Sequence, residues 1–527
     1  MKAGACIAVF GLVLAVANAP AQVRQPHRFT VEQQPGKPTF SVISLGRQGL
    51  ALIRDKDDYK AGQKLFELVL LDTALQKTWA SDLDVNNRLQ LVGYDFVGSR
   101  ISLLFREGES AESNFELLTL SVKDHTIARY KIRQDVYFKL THFSATTHTI
   151  ILGGYISNEP SVLIYRPEDG QLKVVPGFFL SGMELLDVRV NENYTFNILI
   201  SARMPNNQRK LVLRTFDEDG VQLLEDEIEL PAGFVPLSGI TSTLVRPDLA
   251  IIGTYAIGKN RTSTGIYFTL ADPDKQQPIQ FIEYDRIPHF LDHLPARKAN
   301  KIKQQAARDR LRGQASSFRA SVLPLRLAES EKGFALLVET YQASSAMNAN
   351  PHTNPYNWGN PMNPLTGFGW APFTSRYYAM PYSFYDPSPT DLVYKTIAAQ
   401  AVVLGNAGEV LADLHLALSG DQQTTLEQAS DFLFNSQTTA ILYKKEDELY
   451  ATFSAHTGEL SRADTVRIEL SRETEEVRNE SDYGGGVRWW FQDSFYCWGL
   501  QTVRDRDKQT EDRTRYVFYI NRVDARP

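Results

Sequence analysis

Cysteine is nearly absent from this chain. Of the two cysteines in 527 residues, Cys6 lies in an N-terminal segment that we expect to be removed, which leaves Cys497. One thiol excludes the intrachain disulfides that stabilise small secreted domains. Cys497 falls inside a predicted strand, so we expect it to be a buried, small apolar residue. A large hydrophobic core must therefore stabilise the fold.

The sequence also lacks an excess of positive charge and the familiar catalytic motifs. A net charge of −6 argues against nucleic-acid binding, which needs a basic surface. No Gly-x-Ser-x-Gly elbow, Walker loop or paired-cysteine zinc pattern occurs. His289 and His293 have metal-ligand spacing, but Pro295 follows at once and no third ligand is apparent. We predict no metal and no cofactor.

Long apolar runs are missing except at the N-terminus. Lys2 precedes an apolar run over residues 5–17, and Ala19 and Ala21 supply the small residues of a cleavage site. We predict a signal peptide over residues 1–21, because the run is too short to span a bilayer well. No transmembrane segment is expected in the mature chain, 22–527. The scarcity of cysteine favours a bacterial periplasm or cell surface over a eukaryotic secretory route.

What the sequence does contain is a recurring hairpin. A strand, a turn of Gly, Asn, Asp, Pro or Ser, and a strongly apolar strand read GYDFVGSRISLLFRE from Gly93 and DFLFNSQTTAILYKK from Asp431. Starts lie about 46 to 54 residues apart through the first five units. The eight hairpins start at Ser41, Gly93, Thr141, Asp187, Thr241, Pro324, Asp431 and Trp489.

Third and fourth strands follow most hairpins, so each period holds four strands, as residues 90–133 show most clearly. In this pattern the chain resembles the β-propeller superfamily. The resemblance implies an all-β fold, a single eight-bladed propeller, with seven blades possible. The last unit lacks its outer strand, and residues 28–33 form an unassigned strand that would complete it and close the ring. A pair of β-sandwiches is the alternative.

Two insertions break the period. Residues 289–318 are rich in Lys and Arg, and good helix formers after Pro295 predict a helix from Ala296 to Arg312. We interpret it either as a solvated helix on the rim or as a docking site for an acidic partner. The predicted partner-binding residues are Lys298, Lys301, Lys303 and Arg308.

The second insertion, residues 342–391, is rich in aromatic residues, Asn and Pro and poor in charge. Repeated Asn-Pro pairs rule out a helix. So many rings favour an ordered segment, which is either a binding loop or a lid over apolar surface. Both insertions are expected on one face of the ring, at neighbouring blades. The predicted ligand-binding residues are Tyr356, Trp358, Trp370, Arg376, Tyr377, Tyr378, Tyr382 and Tyr385.

These features predict an exported, monomeric interaction module that binds an envelope or extracellular protein or a glycan through the inserted face. Tyr and Trp rings stack on apolar surfaces and Asn amides bond hydroxyl groups, which suits either partner. The alternative is a hydrolase or lyase that acts on a polysaccharide or peptide in the central channel. Six first-strand residues are candidates for that channel: Asp95, His142, Arg189, Arg246, Arg326 and Asp431.

Overall fold

Eight antiparallel sheets form a ring in the computed structural model. It describes residues 22–526 except 61, 109–113, 135, 178–181, 207, 261, 276–277, 346–372, 375–391, 421, 424–425, 456–461 and 508–513. The first strands of successive sheets contact one another, so they surround the axis and the later strands lie outside them. The predicted eight-bladed β-propeller is therefore confirmed, and the seven-blade and sandwich alternatives are wrong.

The strands run in chain order through the blades, and β1 (Gln22–Glu32) precedes them all. Blades one to four contain β2 (Ser41–Ser44), β3 (Leu50–Lys60), β4 (Gln63–Leu71), β5 (Lys77–Asn86), β6 (Leu89–Val97), β7 (Arg100–Glu107), β8 (Phe115–Ser121), β9 (Ile127–Ile132), β10 (Phe138–Ala145), β11 (Ile150–Ile156), β12 (Glu159–Arg166), β13 (Gln171–Val174), β14 (Met183–Val190), β15 (Phe196–Arg203), β16 (Arg209–Phe216) and β17 (Gln222–Glu229). Blades five to eight contain β18 (Phe234–Pro236), β19 (Ile240–Thr241), β20 (Ala250–Ile257), β21 (Gly265–Leu270), β22 (Gln280–Glu283), β23 (Val322–Ser330), β24 (Gly333–Ser345), β26 (Leu392–Leu404), β27 (Val410–Ala417), β28 (Ser430–Phe434), β29 (Thr438–Lys445), β30 (Glu448–Ala455), β31 (Arg462–Arg467), β32 (Glu475–Phe491), β33 (Ser494–Asp505) and β34 (Thr514–Arg526).

The core lies between the blades. Within the described residues, eight large apolar clusters each join two neighbouring blades, including the pair formed by the last blade and the first. A middle strand such as β11 is therefore buried on both faces, which explains its nearly continuous apolar sequence. Burial raises the pKa of the Cys497 thiol in β33 to about 12, and this residue is the buried small side chain that the sequence predicted.

The N-terminal strand closes the ring. β1 pairs with β34 from Gln22 opposite Arg526 to Glu32 opposite Val517, so it is longer than the predicted strand at residues 28–33. It also reaches blade seven, because Gln25 Nε2 donates to the carbonyl of Arg467 at 2.6 Å. β1 therefore both completes the last blade and holds it to its neighbour.

A buried polar network lies at the same junction. Lys444 Nζ of blade seven lies 2.6 Å from Glu480 Oε1 of blade eight, and both side chains are only 2% exposed. Tyr519 donates to the same oxygen, and Gln501 Nε2 donates to Glu480 Oε2 at 2.7 Å. Arg28 of β1 donates in turn to Gln501 Oε1 at 2.7 Å. Both carboxylate oxygens of Glu480 therefore have partners, as burial of a charge requires.

Four inner strands share a β-bulge that sequence reasoning missed. In β6, β10, β14 and β23 the register with the second strand shifts by one residue at the same place. A bulge increases local twist and redirects the side chains that follow it. Three polar side chains directly after these bulges are buried: His142, Asp187 and Arg326.

The two insertions leave from the same face of the ring, since in an antiparallel blade the link between strands two and three and the link to the next blade share one end. The helix α1 (Ala296–Leu311) lies between β22 and β23 and ends one residue earlier than predicted. The second insertion is shorter than the predicted 342–391, because residues 342–345 continue the ladder of β24 with β26. No helix in the described part of the chain is long and apolar enough to cross a membrane.

Candidate binding face

The predicted ligand-binding residues of the second insertion lie outside the described residues. These are Tyr356, Trp358, Trp370, Arg376, Tyr377, Tyr378, Tyr382 and Tyr385. The predicted signal peptide, 1–21, also lies outside them. One short piece of the insertion is described: β25 (Phe373–Thr374) pairs in parallel with Gly93 and Tyr94 of β6. β6 belongs to blade two, which lies opposite blade six in a ring of eight. This short piece therefore lies on the inner strand of the blade opposite blade six.

The helix α1 is fixed to the propeller by one side. Arg310 Nη1 donates at 2.7 Å to Glu283 Oε2 and at 2.7 Å to Asp285 Oδ2, and these carboxylates raise the pKa of the guanidinium. Ala306 is buried, and Ile302 packs on the apolar cluster between blades five and six. Asp309 accepts from the backbone N–H of Ser317 at 3.1 Å and fixes the chain after the helix. These contacts set the orientation of the opposite side of the helix.

That opposite side carries four exposed cations in a line. Arg297, Lys301, Arg308 and Arg312 are spaced by four, seven and four residues, which at 3.6 residues per turn places them on one face. We call these four residues the cation row. No salt bridge connects any of them to another described residue. Arg312 lies near Asp309 and, after the hydrogen bonds from Ser317 and Gln305, helps to lower the pKa of that carboxyl, whereas the other three cations lack an ion-pair partner among the described residues.

The structure separates the four predicted partner-binding residues. Lys301 and Arg308 belong to the cation row, and Lys298 is exposed beside it. Lys303 instead turns back and donates to the carbonyl of Pro288 at 3.2 Å, so it helps to hold the helix. Sequence reasoning did not place Arg297 and Arg312 in the site, although the spacing of the cations would have identified both.

A cluster of histidine and aspartate side chains lies beneath the start of α1. His289 and His293 precede the helix in a turn, so they do not share a helix face. His289 Nδ1 lies 2.9 Å from Asp292 Oδ2, whereas the ring of His293 stacks on that of His415 with centroids 6.1 Å apart. Burial and the neighbouring His293 lower the pKa of His415 to about 4. No group of three or more metal-ligating side chains is found among the described residues.

Four of the six channel candidates, Asp95, Arg246, Arg326 and Asp431, make contacts between blades. Asp95, Asp187 and Asp431 each accept, at 2.8 Å, a backbone N–H from the inner strand of the next blade. We call these three residues the inter-blade aspartates; Asp187 was not among the candidates. Hydrogen bonds of this charge-assisted kind each contribute about 1.5–3 kcal/mol.

The remaining candidates differ in their partners. Arg326 Nε lies 3.0 Å from Asp431 Oδ1, and Arg189 Nε lies 3.1 Å from Asp187 Oδ2, in each case with both side chains buried. His142 is 3% exposed, and burial lowers its pKa to about 4. Arg246 lies at the surface and donates to the carbonyl of Ser330 in blade six. Five of the six candidates are therefore buried, and their side chains are not exposed to solvent as groups lining an open channel would be.

Comparison with known proteins identifies no family for this chain. No protein-family model matches the chain, and no curated protein matches it. The solved polysaccharide lyase Uly1 is 10% identical with a TM-score of 0.39, and the match covers 94% of this chain and 100% of the lyase. The propeller domain of the Trilobed protease from Pyrococcus furiosus is 9% identical with a TM-score of 0.33, over 80% of this chain and 97% of that domain. An acylaminoacyl peptidase from Pyrococcus horikoshii is 8% identical with a TM-score of 0.33, over 80% and 51% of the two chains.

Proposed function

We propose that this protein is an exported, monomeric interaction module that binds an acidic partner, a protein or a glycan of the envelope or the extracellular space. The binding surface is the face that carries α1 and the second insertion. The observation that supports this proposal most directly is the cation row. Four exposed cations on a helix that is fixed from its other side form a ready site for negative charge. Export is inferred from residues 1–21.

The alternative, a hydrolase or lyase with its site in the channel, has less support. Catalytic groups must reach the substrate, and acid–base groups must be free to exchange a proton. The inter-blade aspartates instead accept backbone N–H donors from the next blade. Removing them would therefore disturb the packing of the ring before it affected any reaction.

A matched pair of variants tests the proposal. The first replaces the cation row in one chain, R297Q/K301Q/R308Q/R312Q. The control, R47Q/R88Q/K123Q/R133Q, removes three Arg and one Lys that are exposed on blades one and two without a salt bridge to a described residue. Both variants should melt within about 1–2 °C of the unmodified protein, since exposed charges contribute little to stability.

Binding is then measured by pull-down from envelope extract over a range of salt concentrations. The unmodified protein and the control should retain the same partner, with weaker retention as screening increases. The cation-row variant should lose it. Equal retention by both variants, or retention that salt does not change, would contradict the proposed site.

The second insertion is tested separately. Replacing residues 345–388 by Gly-Asn-Gly should leave a folded ring that binds its partner less tightly, because β24 and β26 pair without the insertion. Trp358, Trp370 and Tyr378 changed together to Ala should reproduce much of the loss, since aromatic residues dominate interface energies. Unfolding of the shortened chain would identify the insertion as part of the core. A shortened chain that stays folded and keeps full binding would show that the site lies elsewhere.

A further inference from the structure

We infer that the partner of the cation row is a linear anionic polysaccharide, with a carboxylate or sulfate group on every one or two sugar units. The inference rests on the proposed function above and specifies its ligand. It follows from the length and spacing of the row, from an uncharged amide between its cations and from the lack of large apolar side chains among the described residues at its centre.

The row is long, straight and regularly spaced. At a rise of about 1.5 Å per residue, Arg297 and Arg312 are separated by about 22 Å along the helix axis. The successive steps are about 6 Å, 10 Å and 6 Å, from the sequence spacing of four, seven and four residues. Such steps are comparable to one or two sugar units of an extended polysaccharide. A linear polymer with repeating charge can therefore meet all four cations, whereas a compact ligand would meet one or two.

The longest step contains an uncharged hydrogen-bonding group. Gln304 is exposed between Lys301 and Arg308 and lies on the same side of the helix. Its amide can both donate and accept, which suits sugar hydroxyl groups as well as a carboxylate. Cations together with an amide match a polymer that alternates charge and hydroxyl groups along its length.

Among the residues of α1 that the structure describes, the centre of the row lacks the large apolar side chains of a protein interface. Protein partners usually bury aromatic or aliphatic side chains at the centre and place charge at the rim. Here the described apolar side chain nearest the row is Leu311, which is 89% exposed and lies at one end of it. Leu311 therefore distinguishes the two kinds of partner, since a protein would need it and a polysaccharide would not.

The test measures binding of defined polymers to the full mature chain by calorimetry and affinity electrophoresis. The probes are size-fractionated oligosaccharides of a polyuronate and of a sulfated polysaccharide. Neutral dextran, poly-glutamate and a single-stranded DNA oligonucleotide of similar length serve as comparisons. The proteins are the unmodified chain, R297Q/K301Q/R308Q/R312Q, R47Q/R88Q/K123Q/R133Q and L311S.

At least one anionic oligosaccharide should bind, and dextran should not. The cation-row variant should bind roughly ten- to a hundredfold more weakly, since each of the four exposed charge pairs contributes a factor of about 2 to 3 and the factors multiply. The control and L311S should bind within about twofold of the unmodified chain. Affinity should rise with oligosaccharide length until the polymer spans the row and then level off.

Three results would overturn the inference. Binding of DNA as tight as that of the best oligosaccharide would mean that the row recognises charge alone. Tight binding of poly-glutamate that L311S weakens would identify an acidic protein as the partner. Failure of every anionic oligosaccharide would exclude the polysaccharide, while a row-dependent partner in the pull-down would leave the broader proposal standing.

Discussion

The buried pair Lys444–Glu480 offers the sharpest test of how the ring is held closed. The two side chains join blades seven and eight at 2.6 Å and are each 2% exposed. Removing one partner of such a pair leaves a charge in the interior without its counter-ion, which costs about 3–5 kcal/mol. We therefore expect K444M and E480Q each to lose about that much free energy of unfolding.

The double variant K444M/E480Q should recover most of the loss. It removes both charges, and the amide that replaces Glu480 can still accept from Tyr519, with Gln501 beside it. Replacing a buried pair by neutral groups is often close to neutral for stability. The double variant should therefore lie within about 1–2 kcal/mol of the unmodified protein.

The matched control is the pair Lys210–Glu227 of blade four. It has the same 2.6 Å separation, but its side chains are 23% and 49% exposed. K210M should therefore cost no more than about 1 kcal/mol. The two pairs have the same separation and differ in burial, so the comparison isolates the effect of burial on the free energy of unfolding.

Urea unfolding followed by tryptophan fluorescence gives the midpoints, and hydrogen exchange of the β32 and β33 amides reports on the closing blade itself. The local measurement is needed because a ring of this size need not unfold in one step. If K444M and E480Q cost no more than K210M, the pair does not hold the junction. If the double variant is as unstable as the two single losses added together, the residues do not act as a pair.

Three further predictions follow from the fold. Deleting residues 22–34 removes β1 and leaves β34 with an unpaired edge, so soluble yield and melting temperature should fall; a deletion that melts like the mature chain would refute ring closure by β1. Burial lowers the folded-state pKa of His142 to about 4 from an ordinary 6.5, so the neutral imidazole is compatible with the fold above pH 6.5 and the free energy of unfolding decreases as the pH falls towards 4. Over that range H142L should lose up to about 3 kcal/mol less free energy of unfolding than the unmodified protein. Denaturant titrations that give the same pH profile for both proteins would contradict the burial of a neutral His142. G253A places a methyl group on the backbone carbonyl oxygen of Ser238, so it should reduce stability by more than about 2 kcal/mol, and a melting temperature equal to that of the unmodified protein would be inconsistent with this packing.

The architecture could be predicted because its signals are local. A hairpin is defined by a turn and two short alternating or apolar strands, all within about fifteen residues. Eight such units predict the blade count, and an unassigned strand beside an incomplete last unit predicts closure. The end of β24 was misplaced because Gln342, Ala343 and Ser344 look like a loop. They remain in the strand because their partners on β26 continue the ladder.

The contacts between blades could not be predicted, because they join residues about fifty positions apart and follow no shared pattern. Asp95 lies three residues after Val92, the extra residue of the bulge in β6. Asp187 lies directly after the bulge in β14, and Asp431 lies in β28, which has no bulge. Three side chains with the same role therefore occupy different places in the repeat. Lys444 lies next to the last residue of a strand with no signal of burial in the sequence, and its counter-ion is Glu480 of the next blade.

The candidate site was predicted in part. The helix followed from Pro295 and a run of good helix formers, and its exposed charge followed from composition. Composition alone could not show which cations face solvent. That depends on Arg310 finding Glu283 and Asp285 on blade five, which sets the rotation of α1 about its axis. Once the rotation is known, Arg297 and Arg312 lie on the same side of the helix as Lys301 and Arg308, whereas Lys303 contacts the carbonyl of Pro288.

The pairing of Gln22 with Arg526 has a consequence for connectivity. The two ends of the described chain lie side by side, so a short linker could join them, and the chain could be opened instead at Asn87 between β5 and β6. Every strand pair and every apolar cluster would persist in such a circular permutant. The contact that now joins the most distant parts of the sequence would become a local turn, and the junction of blades one and two would instead bring together the two ends of the new chain. The packing of the blades therefore does not distinguish a first blade, and the position of the closing strand pair depends only on where the chain is opened.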